Sequence, residues 1–231
     1  MNVVAHDLRN PVAVVRASAQ MALRQVGRGD LDAAARRVET VVQQTDRMTE
    51  LLEVFLEAAR IASGRMVLRL DRVCLSDVIQ LAAERARALA GEYGARPLEV
   101  RGADGCVGMW DQQRIVRALR ALIENALLYG DKAQPVVVDV SQRTRCVHLG
   151  ITGGGRGPDA TEVPRLFQRF YRGRAAAEVG HAGTGLGLYT ARGIALAHGG
   201  DIRHGLDGAP RDLFELRLPL EVEVVVTPSD T

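Results

Sequence analysis

Aromatic side chains make up only 4% of the 231 residues, and there is a single tryptophan. That leaves little with which to build stacking platforms for single-stranded nucleic acid. Excess charge is equally scarce. Thirty basic residues against 28 acidic ones leave a net +2, so charge gives no reason to expect a nucleic-acid partner. Cysteine is limited to Cys74, Cys106 and Cys146, an odd and widely spaced set with no CxxC pair. Neither a disulfide framework nor a zinc site follows, and a reducing compartment is expected. No apolar run approaches the ~20 residues that a bilayer span needs, and no signal peptide opens the chain. The expectation is a soluble, cytoplasmic protein without membrane contact. What is present, 47% hydrophobic and 25% charged residues, suffices for a folded core in one or two domains.

Before Pro97 the only proline is Pro11, and this stretch opens with two helical patterns. Leu8, Val12, Val15, Ala19, Ala22 and Val26 recur at alternating spacings of 4 and 3. Val38, Val41, Thr45, Met48, Leu52, Phe55 and Ala59 do the same, which is a heptad seam. Between them Gly27-Arg28-Gly29-Asp30 makes a short turn, with Asp30 as N-cap. Two long amphipathic helices on a short turn predict an antiparallel hairpin. Its core is thin for its length, so a second copy is expected to complete a four-helix bundle, making the chain a homodimer through residues before about 62.

After Ser63-Gly64 the texture changes to mixed helices and strands. The pattern predicts strands over Met66–Asp71, Leu98–Arg101 and Cys106–Trp110, and a hairpin from Val136–Ser141 and Cys146–Ile151. Closing strands are expected over Ile202–Gly205 and Leu213–Leu218. Helices are predicted over Leu75–Ala90 with Ser76 as cap, Asp111–Tyr129, Glu162–Phe170 and Leu186–His198. The fold class is therefore α+β, a helical hairpin over 1–64 followed by an α/β sandwich over 65–220, with a tail over 221–231. The Val-rich start of that tail could add an edge strand, and its end is expected to fray.

Four segments carry chemistry. In His6-Asp7-Leu8-Arg9-Asn10-Pro11, His6 lies off the seam and a carboxylate follows it. Such a carboxylate can hold the proton of one ring nitrogen and leave the other as nucleophile. Asn10, one turn on, could hold a water beside them. In the helix Arg114–Tyr129, Asn125 is an amide on an otherwise regular apolar pattern, near the end where it could meet a metal or nucleotide. Ile151-Thr152-Gly153-Gly154-Gly155-Arg156-Gly157 is a glycine-rich loop after a strand, which allows close backbone approach to a ligand. Gly183-Thr184-Gly185-Leu186-Gly187-Leu188 opens a helix, and bare amides at a helix N-terminus suit phosphate. No βαβ unit surrounds this GxGxG, which argues against a dinucleotide-binding fold. His198, before Gly199-Gly200, reads as structural, with a helix C-terminus favouring its cation. His181 reads as simply exposed.

In this order and spacing the segments resemble the catalytic core of bacterial sensor histidine kinases. The HDLRNP stretch is similar to their H box, the Asn125 helix to the N box, and the Gly155/Gly157 loop to the first glycine box. Leu166–Arg172 is similar to the F box, and Gly183–Ile202 to the second glycine box and its helix. The resemblance implies a dimerisation and phosphotransfer hairpin, an ATP-binding sandwich and a mobile lid over Arg172–Thr184. His6 would attack the γ-phosphate of ATP bound with Mg²⁺, and Asp7 would orient or deprotonate the ring. Asn125 would help to hold the metal, and Tyr129, Gly155, Gly157, Gly183, Thr184, Gly185, Leu186 and Gly187 would line the nucleotide. The phosphate would pass to an aspartate on a response regulator receiver domain. Asp7 and Asn10 would serve the reverse, phosphatase step.

The sequence departs from the family at three places. The first glycine box usually begins with an aspartate that accepts from the adenine amino group, and Gly153 stands there. A lost hydrogen bond of this kind costs ~1–3 kcal/mol, so weak adenine selectivity is expected, with Gly153→Asp restoring it. Ala121 stands where an earlier asparagine is frequent, and Leu128 where a basic residue is frequent. These changes support an alternative, a histidine phosphotransferase or regulator-binding scaffold with weak or no ATP binding. Another ATPase on the same nucleotide fold is a third reading, disfavoured by His6 on a heptad hairpin. Only five residues precede His6, fewer than its helix is expected to need; this fits either a cytoplasmic piece of a membrane-bound sensor or a short stand-alone protein.

Overall fold

The computed structural model describes residues 2–103, 105–179, 183–205 and 208–221, with the backbone alone at 2–8, 91–92 and 177–179. Most of the tail, 222–231, and His181 lie outside the described residues. Helices α1 (Asn2–Val26) and α2 (Leu31–Ala62) form the expected antiparallel hairpin, and the Asp30 carboxylate accepts from the Ala33 amide as its N-cap. Pro11 sits inside α1.

The heptad seam divides between two faces. Val15 and Ala22 on α1, and Val41, Met48 and Phe55 on α2, are turned inward, while Val12, Ala19, Val26, Val38, Thr45, Leu52 and Ala59 stay exposed. A seam aimed at the axis of a larger bundle has this character, because alternate members face the hairpin partner and the rest face outward.

Beyond the hairpin, residues 65–70 alternate in burial but form no strand. Their backbone is drawn aside, the Arg69 amide donating to Asp111 Oδ2 at 3.0 Å. The strand lies later, at β1 (Asp71–Cys74), and pairs antiparallel with β3 (Val107–Trp110). Helix α3 (Leu75–Ala90) follows β1 directly, so Ser76 lies within it against Cys74 Sγ rather than capping it. The main sheet has the order β2 (Leu98–Arg101), β4 (Val136–Arg143), β5 (Cys146–Thr152), β7 (Phe214–Pro219), β6 (Asp201–His204). The β2–β4 pairing is parallel and the others antiparallel.

Helices α3, α4 (Gln112–Tyr129) and α6 (Gly187–Ala197) cover one face of this sheet. Leu75, Ile79, Ile115, Leu119, Leu122 and Ile123 interleave there with Val138, Leu149, Ile151 and Leu216, all at or near zero exposure. Between the strands, Glu162–Phe170 holds only a 3-10 turn at Val163–Arg165, not the expected helix, because Pro164 removes a donor and Phe170 turns to φ 64°. A short helix α5 (Arg174–Val179) falls within the segment expected as lid.

Candidate functional site

Helices α4 and α6 lie side by side and antiparallel. At one end the Asp111 amide, next to the start of α4, donates to His198 Nε2 at 3.0 Å, just past the end of α6. At the other, Gly187 at the start of α6 stands beside Ala121. Helix α4 continues past that point by eight residues, about 12 Å, to Tyr129. Asn125 and Tyr129 therefore flank a space into which the first amides of α6 point. Those amides have no side-chain cap, since Leu186 is buried and Thr184 Oγ1 accepts only the Leu186 amide, at 3.2 Å. Gly183 has no neighbour within 4 Å of a notional Cβ, and Gly187 has only the Ala121 methyl at 3.8 Å. Room plus unpartnered donors fits a phosphate chain.

The glycine loop closes the far end. A Cβ on Gly155 would lie 2.7 Å from the Tyr129 carbonyl, and one on Gly157 would lie 2.1 Å from the Arg211 carbonyl. Gly157 also has φ 67°, so only glycine serves there. The structure thus sets Gly155 beside Tyr129 at the end of α4 and Gly187 beside Ala121, one turn before Asn125, while Gly157 lies against Arg211. Burial raises the Tyr129 hydroxyl pKa, with Arg172 acting against it, which places a cation near that end. Burial likewise raises Glu124. No cluster of His, Cys, Asp and Glu able to hold a metal occurs among the described residues. A divalent ion would fit here only as the counter-ion of a phosphate chain, with the half-buried Asn125 amide oxygen as a protein contact.

Gly153 differs from the expectation. A Cβ there would sit 2.4 Å from the Ala126 carbonyl and 3.2 Å from Gly130 Cα, both backbone. An aspartate at 153 does not fit without moving α4, so the expected rescue by Gly153→Asp is withdrawn. Leu128 is buried in the core and serves packing.

Two residues that the sequence did not single out build this end. Arg96 is 6% exposed, and its guanidinium donates to the carbonyls of Ala126 and Leu127 at 2.7 and 3.0 Å, capping α4. It also donates to Gln134 and Gly153 carbonyls, both at 2.8 Å. Burial lowers its pKa, with Asp131 and Asp212 countering. Asp212 accepts from Thr152 Oγ1 at 2.7 Å and from the Gly153 and Gly155 amides at 2.8 and 3.0 Å.

His198 is structural but not a cation. The Asp111 amide donates to Nε2, so the proton lies on Nδ1 and goes to the Ile194 carbonyl at 2.8 Å. Complete burial lowers its pKa, outweighing the helix end.

His6, Asp7 and Asn10 lie on α1, away from this cleft in sequence, and Asn10 is exposed. The hairpin turn sets position 6 roughly level with position 51 of α2. Helix α2 meets α4 through three steps: Glu57 with Arg114, Glu53 with Arg117 at 2.8 Å, and Glu50 with Arg120 at 3.8 Å. The level of His6 is thus the level at which the Asn125 half of α4 begins.

Residues 1–64 match the His Kinase A (phospho-acceptor) domain, and 110–222 match the Histidine kinase-, DNA gyrase B-, and HSP90-like ATPase family. The chain is 25% identical over 216 residues to the sensor-like histidine kinase SenX3 of Mycolicibacterium smegmatis, covering 94% of this chain and 56% of that one. It is 30% identical over 218 residues to the sensor histidine kinase MtrB of Mycolicibacterium paratuberculosis, covering 94% and 38%. The chain thus spans little more than half, or less, of these relatives. The Acinetobacter baumannii histidine kinase AdeS has the same fold, with a TM-score of 0.63 at 20% identity over 93% of this chain and 98% of that one. With a phospho-acceptor hairpin and a glycine-lined cleft on an ATPase sandwich in this order, the chain belongs to the histidine kinase family and constitutes a catalytic core of that family.

Proposed function

We propose that this chain phosphorylates His6 from ATP and hands the phosphate to an aspartate of a response regulator receiver domain. The observation that carries the reading is the cleft: uncapped α6 amides and glycine-lined space face Asn125 and Tyr129, one helix away from the hairpin that bears His6. In the transfer, one imidazole nitrogen bonds to the γ-phosphorus as the bond to the β–γ bridging oxygen breaks, releasing ADP. Asp7, next in the chain, holds the proton of the other nitrogen. The α6 amides offset charge on the phosphate oxygens. Magnesium would neutralise the phosphate chain, with Asn125 as its contact.

The exposed half of the heptad seam supports a homodimer, since Val12, Val38 and Leu52 are about half exposed, at 48, 52 and 48%. No helix among the described residues is long and apolar enough to cross a membrane; the need for ATP supports a cytoplasmic position for the chain. Asn10, exposed one turn past His6, would position water for dephosphorylation of the regulator.

The test is incubation with γ-labelled ATP. Label should enter the wild type, vanish in acid and survive base, as a phosphoramidate does, and be absent from His6→Gln. Acid-stable label, or label persisting in His6→Gln, overturns the assignment.

A further inference from the structure

The cleft has two ends of different chemistry, and the glycine-loop end poses a question that the donor groups at the α6 end do not. Where the family resemblance puts a base-reading carboxylate, Gly153 offers none, and backbone at 2.4 Å forbids one. A carboxylate is nevertheless present on that loop. Asp212, one residue before the Leu213-Phe214 start of β7, reaches across from the sheet's other connection and sets both oxygens against the loop.

The lone pairs can be counted. A carboxylate offers about four acceptor positions, two on each oxygen. Oδ2 receives two amides, from Gly153 and Gly155, and is filled. Oδ1 receives only the Thr152 hydroxyl. One acceptor position on Oδ1 is left over, and Asp212 is only half-buried. The three donors fix the carboxylate in place, so that position is held rigid, and the buried Arg96 guanidinium, bonded to the Gly153 carbonyl, supplies compensating positive charge behind the loop. A rigid, acceptor-only group selects a ligand by a donor at the matching point, and it disfavours a carbonyl there.

We propose that Asp212 is the base-reading residue of this cleft: its carboxylate, relocated from the glycine loop to the start of β7, accepts the exocyclic amine of adenine. The proposal rests on the ATP-binding reading above. It makes Thr152 and the loop amides the positioning groups, and Asp212 the group that touches the base. It also removes the expectation of weak adenine selectivity that Gly153 raised.

Calorimetric titration of the full chain with three Mg²⁺ nucleotides tests it: ATP, purine riboside triphosphate, which lacks the 6-amino group, and inosine triphosphate, which carries a 6-oxo group. Wild type should bind ATP about tenfold to a hundredfold more tightly than either other nucleotide. Asp212→Asn keeps the shape and can still accept from the loop amides, but it presents an NH₂ toward Thr152 and the base. It should lose the preference for ATP and gain affinity for inosine triphosphate. If wild type binds all three alike, Asp212 reads nothing and the proposal falls while ATP binding stands. If Asp212→Asn weakens all three equally, the residue only pins the loop, which also overturns the proposal. If wild type binds none of them, the ATP-binding reading fails and takes this one with it. Should Asp212→Asn not fold, the wild-type series still decides, because equal affinities refute the proposal.

Discussion

The hairpin and the sandwich handle apolar surface in opposite ways. In the sandwich, large side chains such as Trp110, Leu122, Ile123 and Leu149 are wholly buried by its own sheet and helices. Among the described residues of the hairpin, the buried apolar ones are Pro11 and the small Ala22, Ala34 and Ala58, while Leu23, Leu31, Leu52 and Leu56 are 48–74% exposed. At ~25 cal/mol per Å² of apolar area removed from water, the sandwich gathers its stabilisation within one chain, and the hairpin leaves much of its own to be gathered elsewhere. The lesson is that a regular heptad pattern states how much surface will be buried without stating by whom.

The strongest way to break this contrast is a matched pair of truncations. Leu122→Ala should cost the sandwich ~2–5 kcal/mol in chemical denaturation, independent of protein concentration. Leu52→Ala should cost under about 1 kcal/mol at low concentration, where the hairpin is unpartnered, and more as concentration rises. Equal, concentration-independent losses would refute the division.

A smaller effect sharpens the sandwich side. His198 has a folded pKa below its ordinary ~6.5, and so does His204, in both cases chiefly through burial. The unfolded chain therefore takes up protons first as pH falls. Stability from these groups is complete above about pH 6.5 and declines below it, by up to ~1.4 kcal/mol per pH unit for each histidine. Denaturation midpoints at pH 7.5, 6.5 and 5.5 should show the fall, and His198→Asn should make it shallower, leaving the His204 share. A flat wild-type profile would mean that the buried ring is not neutral.

The smallest effect lies between the two regions. The Glu53–Arg117 and Glu50–Arg120 pairs are partly exposed, so Arg117→Ala should cost no more than ~1 kcal/mol, and less in high salt. A loss unchanged by salt would point to packing by the arginine stem rather than charge.

Local pattern sufficed where a residue's neighbours along the chain decide its state. Asp30 as a cap, the β4–β5 hairpin and the α4 and α6 helices were all legible, whereas Asp111, read as part of its helix, is in fact the cap of α4. It failed where a partner far along the chain decides. Residues 66–70 alternate like a strand, but the Arg69 amide is claimed by Asp111, 42 residues on. Asp212 meets its loop across 57 to 60 residues, and no local motif marks it. A single arginine, Arg96, gave no sign that it would cap a helix whose last turn lies 30 residues later. For His198, position at a helix end suggested a cation, worth ~0.3–1 kcal/mol, but full burial can shift a pKa by several units and prevails.

Asp111 is where four segments meet. It caps α4, holds the Arg69 amide after the hairpin, donates its own amide to His198 behind α6, and takes Arg114 Nε, whose guanidinium also grips the buried Glu57 of α2. Helices α4 and α6 are thus riveted together at one end, and the proposed nucleotide cleft lies at the other. In mechanical terms they are the two arms of a pair of tongs with the rivet fastened to α2. The cleft can change its width only if that rivet yields or an arm bends, and a twist of α2 reaches both arms at the same point.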